Sequence, residues 1–140
     1  MSLRLICKTI DKKELTFTSW EDLDNCNETI IKLDCRNNKL LSLPELPESL
    51  KELYCHGNNL TSLPKLSTSL KILDCNRNNL TRLPDNLIKL RNLEEIYYAG
   101  NEIELTIQQI NFINRLRDRN KNNNTFYDNR QNVHDSHIQK

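Results

Sequence analysis

From Ile30 to Ile103 the chain repeats one order of apolar and polar positions at a fixed interval. Leu33, Leu53 and Leu73 stand 20 residues apart, and so do Cys35, Cys55 and Cys75, Asn38, Asn58 and Asn78, Leu40, Leu60 and Leu80, and Pro44, Pro64 and Pro84. The last step, to Ile96, Tyr98, Asn101 and Ile103, is 23 residues. Within each unit, a segment such as Leu33-Asp34-Cys35 alternates, so Leu33 and Cys35 turn to one side and Asp34 and Arg36 to the other, as a half-buried strand requires. One unit alone cannot bury its apolar face; parallel strands from successive units must stack at about 4.8 Å. The pattern predicts a short parallel sheet whose inward residues form ladders.

The remaining columns have physical tasks of their own. After each strand the chain turns sharply and leaves interior backbone groups unpaired, and the amides of Asn38, Asn58, Asn78 and Asn101 carry both donors and an acceptor to satisfy them. Pro44, Pro47, Pro64 and Pro84 keep the return segments extended, which argues for a far side without long helices.

The order apolar-x-x-apolar-x-(Cys or Tyr)-x-x-Asn-x-apolar resembles the leucine-rich repeat in all four units. The segment after Leu43-Pro44, ELPESL, is similar to the short LPxLP repeats of bacterial effectors and of some large DNA viruses, whereas LPDNLIKLRNL, with Leu87 and Leu90, is similar to the longer ordinary kind. The resemblance implies an α/β fold: a leucine-rich repeat solenoid, a short right-handed horseshoe with a parallel concave sheet, an N-terminal cap and a C-terminal capping helix. It also implies a non-enzymatic protein-protein interaction module. Effectors with such repeats often carry a ubiquitin-ligase domain with a nucleophilic cysteine, but no cysteine follows Cys75 in this chain.

The boundaries follow from where the period stops. Residues 1–29 form an N-terminal cap, for which two readings stand that could both hold together. In one, Ile10, Leu15, Trp20 and Leu23 make a degenerate first unit; in the other, Leu3 to Cys7 and Leu15 to Phe17 are the strands of a hairpin turning at Asp11-Lys12-Lys13. Residues 30–105 hold the repeats. Residues 106–119 form a capping helix with Thr106 at its N-cap and Ile107, Ile110, Ile113 and Leu116 as the apolar stripe. Residues 120–140 are polar and aperiodic and read as a flexible tail, ordered only if Phe126 and Tyr127 find a groove.

Composition narrows the functional classes. With a net charge of +1 and a mean hydropathy of -0.71, bulk attraction to nucleic acid or to an anionic membrane is not indicated. No apolar run approaches the roughly 20 residues needed to span a bilayer. The N-terminal residues do not resemble a signal peptide, and a cytoplasmic location is expected. Cys35, Cys55 and Cys75 read as a buried core column of reduced thiols. Three sulfurs in a row on parallel strands do not converge on a tetrahedron and no CxxC pair is present, so neither metal nor cofactor is expected. Cys7 and Cys26 could pair, but the odd count of five favours reduced thiols.

No catalytic residues are assigned. His134, Asp135, Ser136 and His137 offer a superficial metal or triad set, but the tail lacks the rigid support such groups need. Arg115, Arg117, Arg119 and Lys121 read as the solvated side of the capping helix, which leaves nucleic-acid binding the weaker alternative. The candidate binding residues are the outward strand positions: Lys32, Glu52, Ile72 and Glu95 in one column; Asp34, Tyr54, Asp74 and Tyr97 in the next; Arg36, His56 and Asn76 in the third, completed by Ala99. Acids alternating with aromatic rings suit a protein partner with a basic and apolar segment. A structural or self-associating protein, a homodimer for example, whose strand face or tail meets another copy is the alternative.

Overall fold

In the computed structural model, which describes residues 2–123, the chain is a mixed α/β structure built on one six-stranded sheet. Its elements are β1 (Leu5–Thr9), β2 (Glu14–Phe17), α1 (Trp20–Asp24), β3 (Ile30–Asp34), β4 (Glu52–Tyr54), β5 (Ile72–Asp74), a 3₁₀ turn (Asp85–Lys89), β6 (Glu95–Tyr97) and α2 (Ile107–Asn123). The strand order is β2-β1-β3-β4-β5-β6. From β3 to β6 the strands are parallel, and Leu33, Leu53, Leu73 and Ile96 lie side by side in the register that the 20- and 23-residue steps require.

The sheet is not wholly parallel, and this corrects the expectation for its N-terminal edge. β1 and β2 form the hairpin, and β1 runs antiparallel to both β2 and β3. The reversal is local. The Thr9 N–H donates to the Lys13 carbonyl at 2.9 Å, the Lys12 N–H to the Thr9 carbonyl at 2.8 Å, and Lys12 takes a φ of 67°. A chain turned back at Lys12 cannot also supply a parallel strand, so residues 10–23 do not form a first repeat: Leu15 lies on β2, Trp20 opens α1 and Ile10 is exposed. The Ser19 hydroxyl caps α1 by accepting from the Asp22 N–H at 3.1 Å.

Leu33, Leu53 and Leu73 are wholly buried, as are Cys35, Cys55 and Cys75, and Tyr98 occupies the cysteine column in the fourth unit. Leu5 and Cys7 extend this core under the hairpin. All five cysteines are free thiols. Burial raises the thiols of Cys7, to about 11, and of Cys35, to about 12, and holds those of Cys55 and Cys75 well above the usual thiol range. The returns after Pro44 and Pro64 carry no helix, only a turn at residues 48–49 and 68–69, and the longer third unit adds the 3₁₀ turn, which buries Leu87.

The asparagine column makes the predicted bonds. Asn58 Oδ1 accepts from the N–H groups of Asn38 and Leu40 at 2.9 and 3.0 Å, while its Nδ2 donates to the carbonyls of Cys35 and Cys55 at 3.1 and 2.9 Å. Asn101 repeats this toward Asn78, Leu80, Cys75 and Tyr98. Asn38 carries the column into the cap, where its amide bonds both the N–H and the carbonyl of Arg4.

α2 closes the other end. Thr106 Oγ1 accepts from the Gln109 N–H and Gln109 Oε1 from the Thr106 N–H, both at 3.1 Å, a reciprocal capping box. The buried stripe differs from the expected one. Ile107 is 73% exposed, and the inward positions are Gln109, Ile113, Leu116 and Asn120. Their spacing of 4, 3 and 4 is helical, but two of them are amides that bond backbone carbonyls, Gln109 those of Leu83 and Pro84 and Asn120 that of Glu94. The helix therefore continues past the expected end at residue 119, and Asn120 belongs to it rather than to a tail. Among the described residues, no helix is long and apolar enough to cross a membrane. Phe126, Tyr127, His134 and His137 lie outside the described residues.

Candidate functional site

The outward columns assemble as their spacing requires. Lys32, Glu52, Ile72 and Glu95 lie side by side across β3 to β6, followed by Asp34, Tyr54, Asp74 and Tyr97. Just beyond the strand ends, N–H groups of Asn37, Gly57 and Arg77 donate to the carbonyls of His56, Asn76 and Ala99, so the third column is held in the same order.

Within this face the charged groups are already engaged. Arg36 grips Asp34 through two bonds, Nε at 2.8 Å and a terminal nitrogen at 2.7 Å. His56 Nδ1 lies 2.7 Å from Asp74 Oδ2, and Asp74 Oδ1 accepts from the Asn76 N–H at 3.2 Å. The Tyr54 hydroxyl donates to Glu52 at 2.6 Å, the Tyr97 hydroxyl to Glu95 at 2.8 Å, and the Lys32 ammonium sits 5.3 Å from the centre of the Tyr54 ring. Desolvation, reinforced by the bond to Glu52, raises the Tyr54 phenol well above its usual range.

These contacts change the expected exposure. Asp74, Asn76 and Tyr97 are buried, with Ala99 beside them, rather than open to a partner. Asp74 lies between the His56 ring and the Asn76 backbone. Asn76 Oδ1 accepts from the Ala99 N–H at 2.6 Å, while its Nδ2 has no hydrogen-bond partner among the described residues. Each tyrosine hydroxyl reaches a carboxylate two residues back on its own strand. Lys32, Asp34, Glu52, Tyr54, His56, Ile72 and Glu95 remain half-buried and Arg36 exposed. The accessible part of the face is thus β3 and β4 with Ile72 of β5 and the Glu95 margin.

Two features escaped sequence reasoning. The hairpin adds to this face: Cys7 is buried beneath β1, so Ile6 and Lys8 face outward beside Asp34 and Lys32, with Thr16 and Glu14 next to them on β2. Six strands at about 4.8 Å spacing give a width of roughly 24 Å. Antiparallel strands carry no repeat signature, so no column pointed to them. The second is a left-handed column at Asn37, Gly57, Arg77 and Gly100, with φ of 56°, 71°, 56° and 73°. The chain's two glycines standing in one column was the available signal.

Comparison with protein-family models and with curated proteins gives no match to this chain, so its functional reading rests on the residues themselves.

Proposed function

We propose that this chain is a capped leucine-rich repeat solenoid that works in the cytoplasm as a non-enzymatic binding module, taking a protein partner on the strand face. The observation that carries the proposal is the registered face itself, whose long side chains are held by one another through Arg36–Asp34, His56–Asp74 and Tyr54–Glu52. Side chains ordered in advance lose little entropy when a partner arrives. On the accessible face Glu14, Asp34, Glu52 and Glu95 outnumber Lys8, Lys32 and Arg36, which favours a basic segment with apolar groups to meet Tyr54 and Ile72. The pair His56–Asp74 could orient a base, but the three columns hold no serine, threonine or cysteine for it to activate. The free thiol column suits a reducing compartment.

Affinity capture from cytosol tests the reading with Tyr54→Ala and Ile72→Asp, both on the accessible part of the face. A protein retained by the wild type and weakened at least about tenfold by both folded variants is the expected result. Equal retention by the variants removes the strand face as the binding surface.

A further inference from the structure

A second surface differs from the strand face in the state of its charges. Between the 3₁₀ turn and α2 runs a groove of about 540 Å³. Its apolar part is formed by Ile88, 40% exposed, with Leu90 and the partly buried Phe112. Arg91, Arg115 and Arg119 line it, opposed by one carboxylate, Asp118. Phe112, Arg115 and Arg119 stand at three- and four-residue steps on α2, so one stripe of the helix supplies both the ring and two of the guanidinium groups.

The ion pairs among the described residues are Lys13–Glu28, Arg36–Asp34 and His56–Asp74, none of them in this groove. Arg119 makes a long bond of 3.5 Å to the Leu93 carbonyl, and among the described residues no ion pair holds Arg91 or Arg115. In a chain of net charge +1, three guanidinium groups against one carboxylate make a local positive field beside exposed apolar surface.

We propose that this groove is a second docking site, for an acidic peptide segment with apolar anchors. Guanidinium forks match carboxylates with two parallel hydrogen bonds, and Ile88 with Phe112 offers apolar contact between the charges. The volume lies within the roughly 300–1,000 Å³ that binding sites occupy. A nucleic acid fits less well: Asp118 opposes a row of phosphates, and the aliphatic part of the groove matches side chains rather than a sugar-phosphate backbone. The proposal is independent of what the strand face binds.

Fluorescence anisotropy on the full chain tests it with four labelled probes of equal length: a peptide alternating Glu with Leu and Phe, its Lys counterpart, poly-glutamate and a single-stranded oligonucleotide. The Glu/Leu/Phe peptide is expected to bind at least about tenfold more tightly than the other three. The double variant Arg91→Glu/Arg115→Glu and the variant Ile88→Asp should each weaken it at least about tenfold, whereas Tyr54→Ala on the strand face should leave it unchanged. All substituted groove residues are exposed, and matching circular dichroism melts will verify their folding. No binding of the Glu/Leu/Phe peptide, equal binding of poly-glutamate or of the oligonucleotide, or unaltered affinity in the groove variants overturns the proposal.

Discussion

Replacing Asn58 by alanine removes five hydrogen bonds, but the five partner groups do not suffer equally, and the His56 carbonyl, bonded at 3.5 Å, keeps the Asn37 N–H at 3.1 Å. The Cys35 carbonyl still receives Asn38 Nδ2 at 3.0 Å, and the Cys55 carbonyl still receives Asn78 Nδ2 at 3.1 Å. The N–H groups of Asn38 and Leu40 lose the acceptor that Asn58 Oδ1 provides. An orphaned buried donor costs about 1–3 kcal/mol, and both residues are half-buried, so water recovers part of the loss; the sum is about 2–4 kcal/mol. Asn59, one residue on, is exposed, and only its backbone N–H is engaged, with the Leu40 carbonyl at 2.8 Å. Asn59→Ala should therefore change stability by less than about 0.5 kcal/mol. Urea unfolding followed by circular dichroism measures both, and the midpoint should move for Asn58→Ala with the slope unchanged. Equal midpoints for the two variants would refute the assignment of Asn58 to the backbone ladder.

Three further outcomes are expected. Gly100→Ala should destabilise by about 1–3 kcal/mol, because φ is 73° and the new Cβ would meet Arg77 backbone atoms at 3.1 Å; a melting temperature equal to wild type would remove the left-handed column from the account. In native protein, thiol labelling should modify the partly exposed Cys26 first and leave Cys35, Cys55 and Cys75 protected until denaturant is added; early reaction of the column would contradict its burial. Stability should be flat through neutral pH and fall above pH 9, the unperturbed thiol value: the folded state keeps its buried thiols protonated while the unfolded chain releases them, each contributing about 1.4 kcal/mol of loss per pH unit until its own raised value is reached. Unfolding midpoints that do not change between pH 8 and 10 would count against thiols held protonated by the fold.

The parts of the fold that the sequence made legible are those in which one residue type does one job in every unit. Leu33, Leu53, Leu73 and Ile96 and the asparagine column belong to this class, and Thr106 was legible outside it as an N-cap residue at the head of an apolar helix pattern. The hairpin was one of two open readings, since neither Lys12 nor its neighbours announce a positive φ. Gln109 and Asn120 were missed on the buried stripe because polarity marks a residue as outward unless its backbone partner is known. The same reasoning misplaced Asp74, Asn76 and Tyr97: strand alternation gives the side of the sheet correctly, while exposure depends on whether neighbouring side chains lie down over the position. The pairings of the face arise between residues 18 apart in neighbouring units or between alternate residues of one strand, and no single repeat contains the first kind.

The direction of the asparagine bonds has a consequence for how the chain emerges from a ribosome. Asn58 Oδ1 serves N–H groups of the preceding unit, and Asn101 Oδ1 does the same for Asn78 and Leu80. Each turn is therefore closed by an amide translated about twenty residues later. A nascent first unit holds its strand residues and its own asparagine, yet its Asn38 and Leu40 donors stay hydrated until Asn58 has cleared the exit tunnel. Synthesis order and bonding order run in the same direction with a lag of one unit, so the growing end is always the unfinished one.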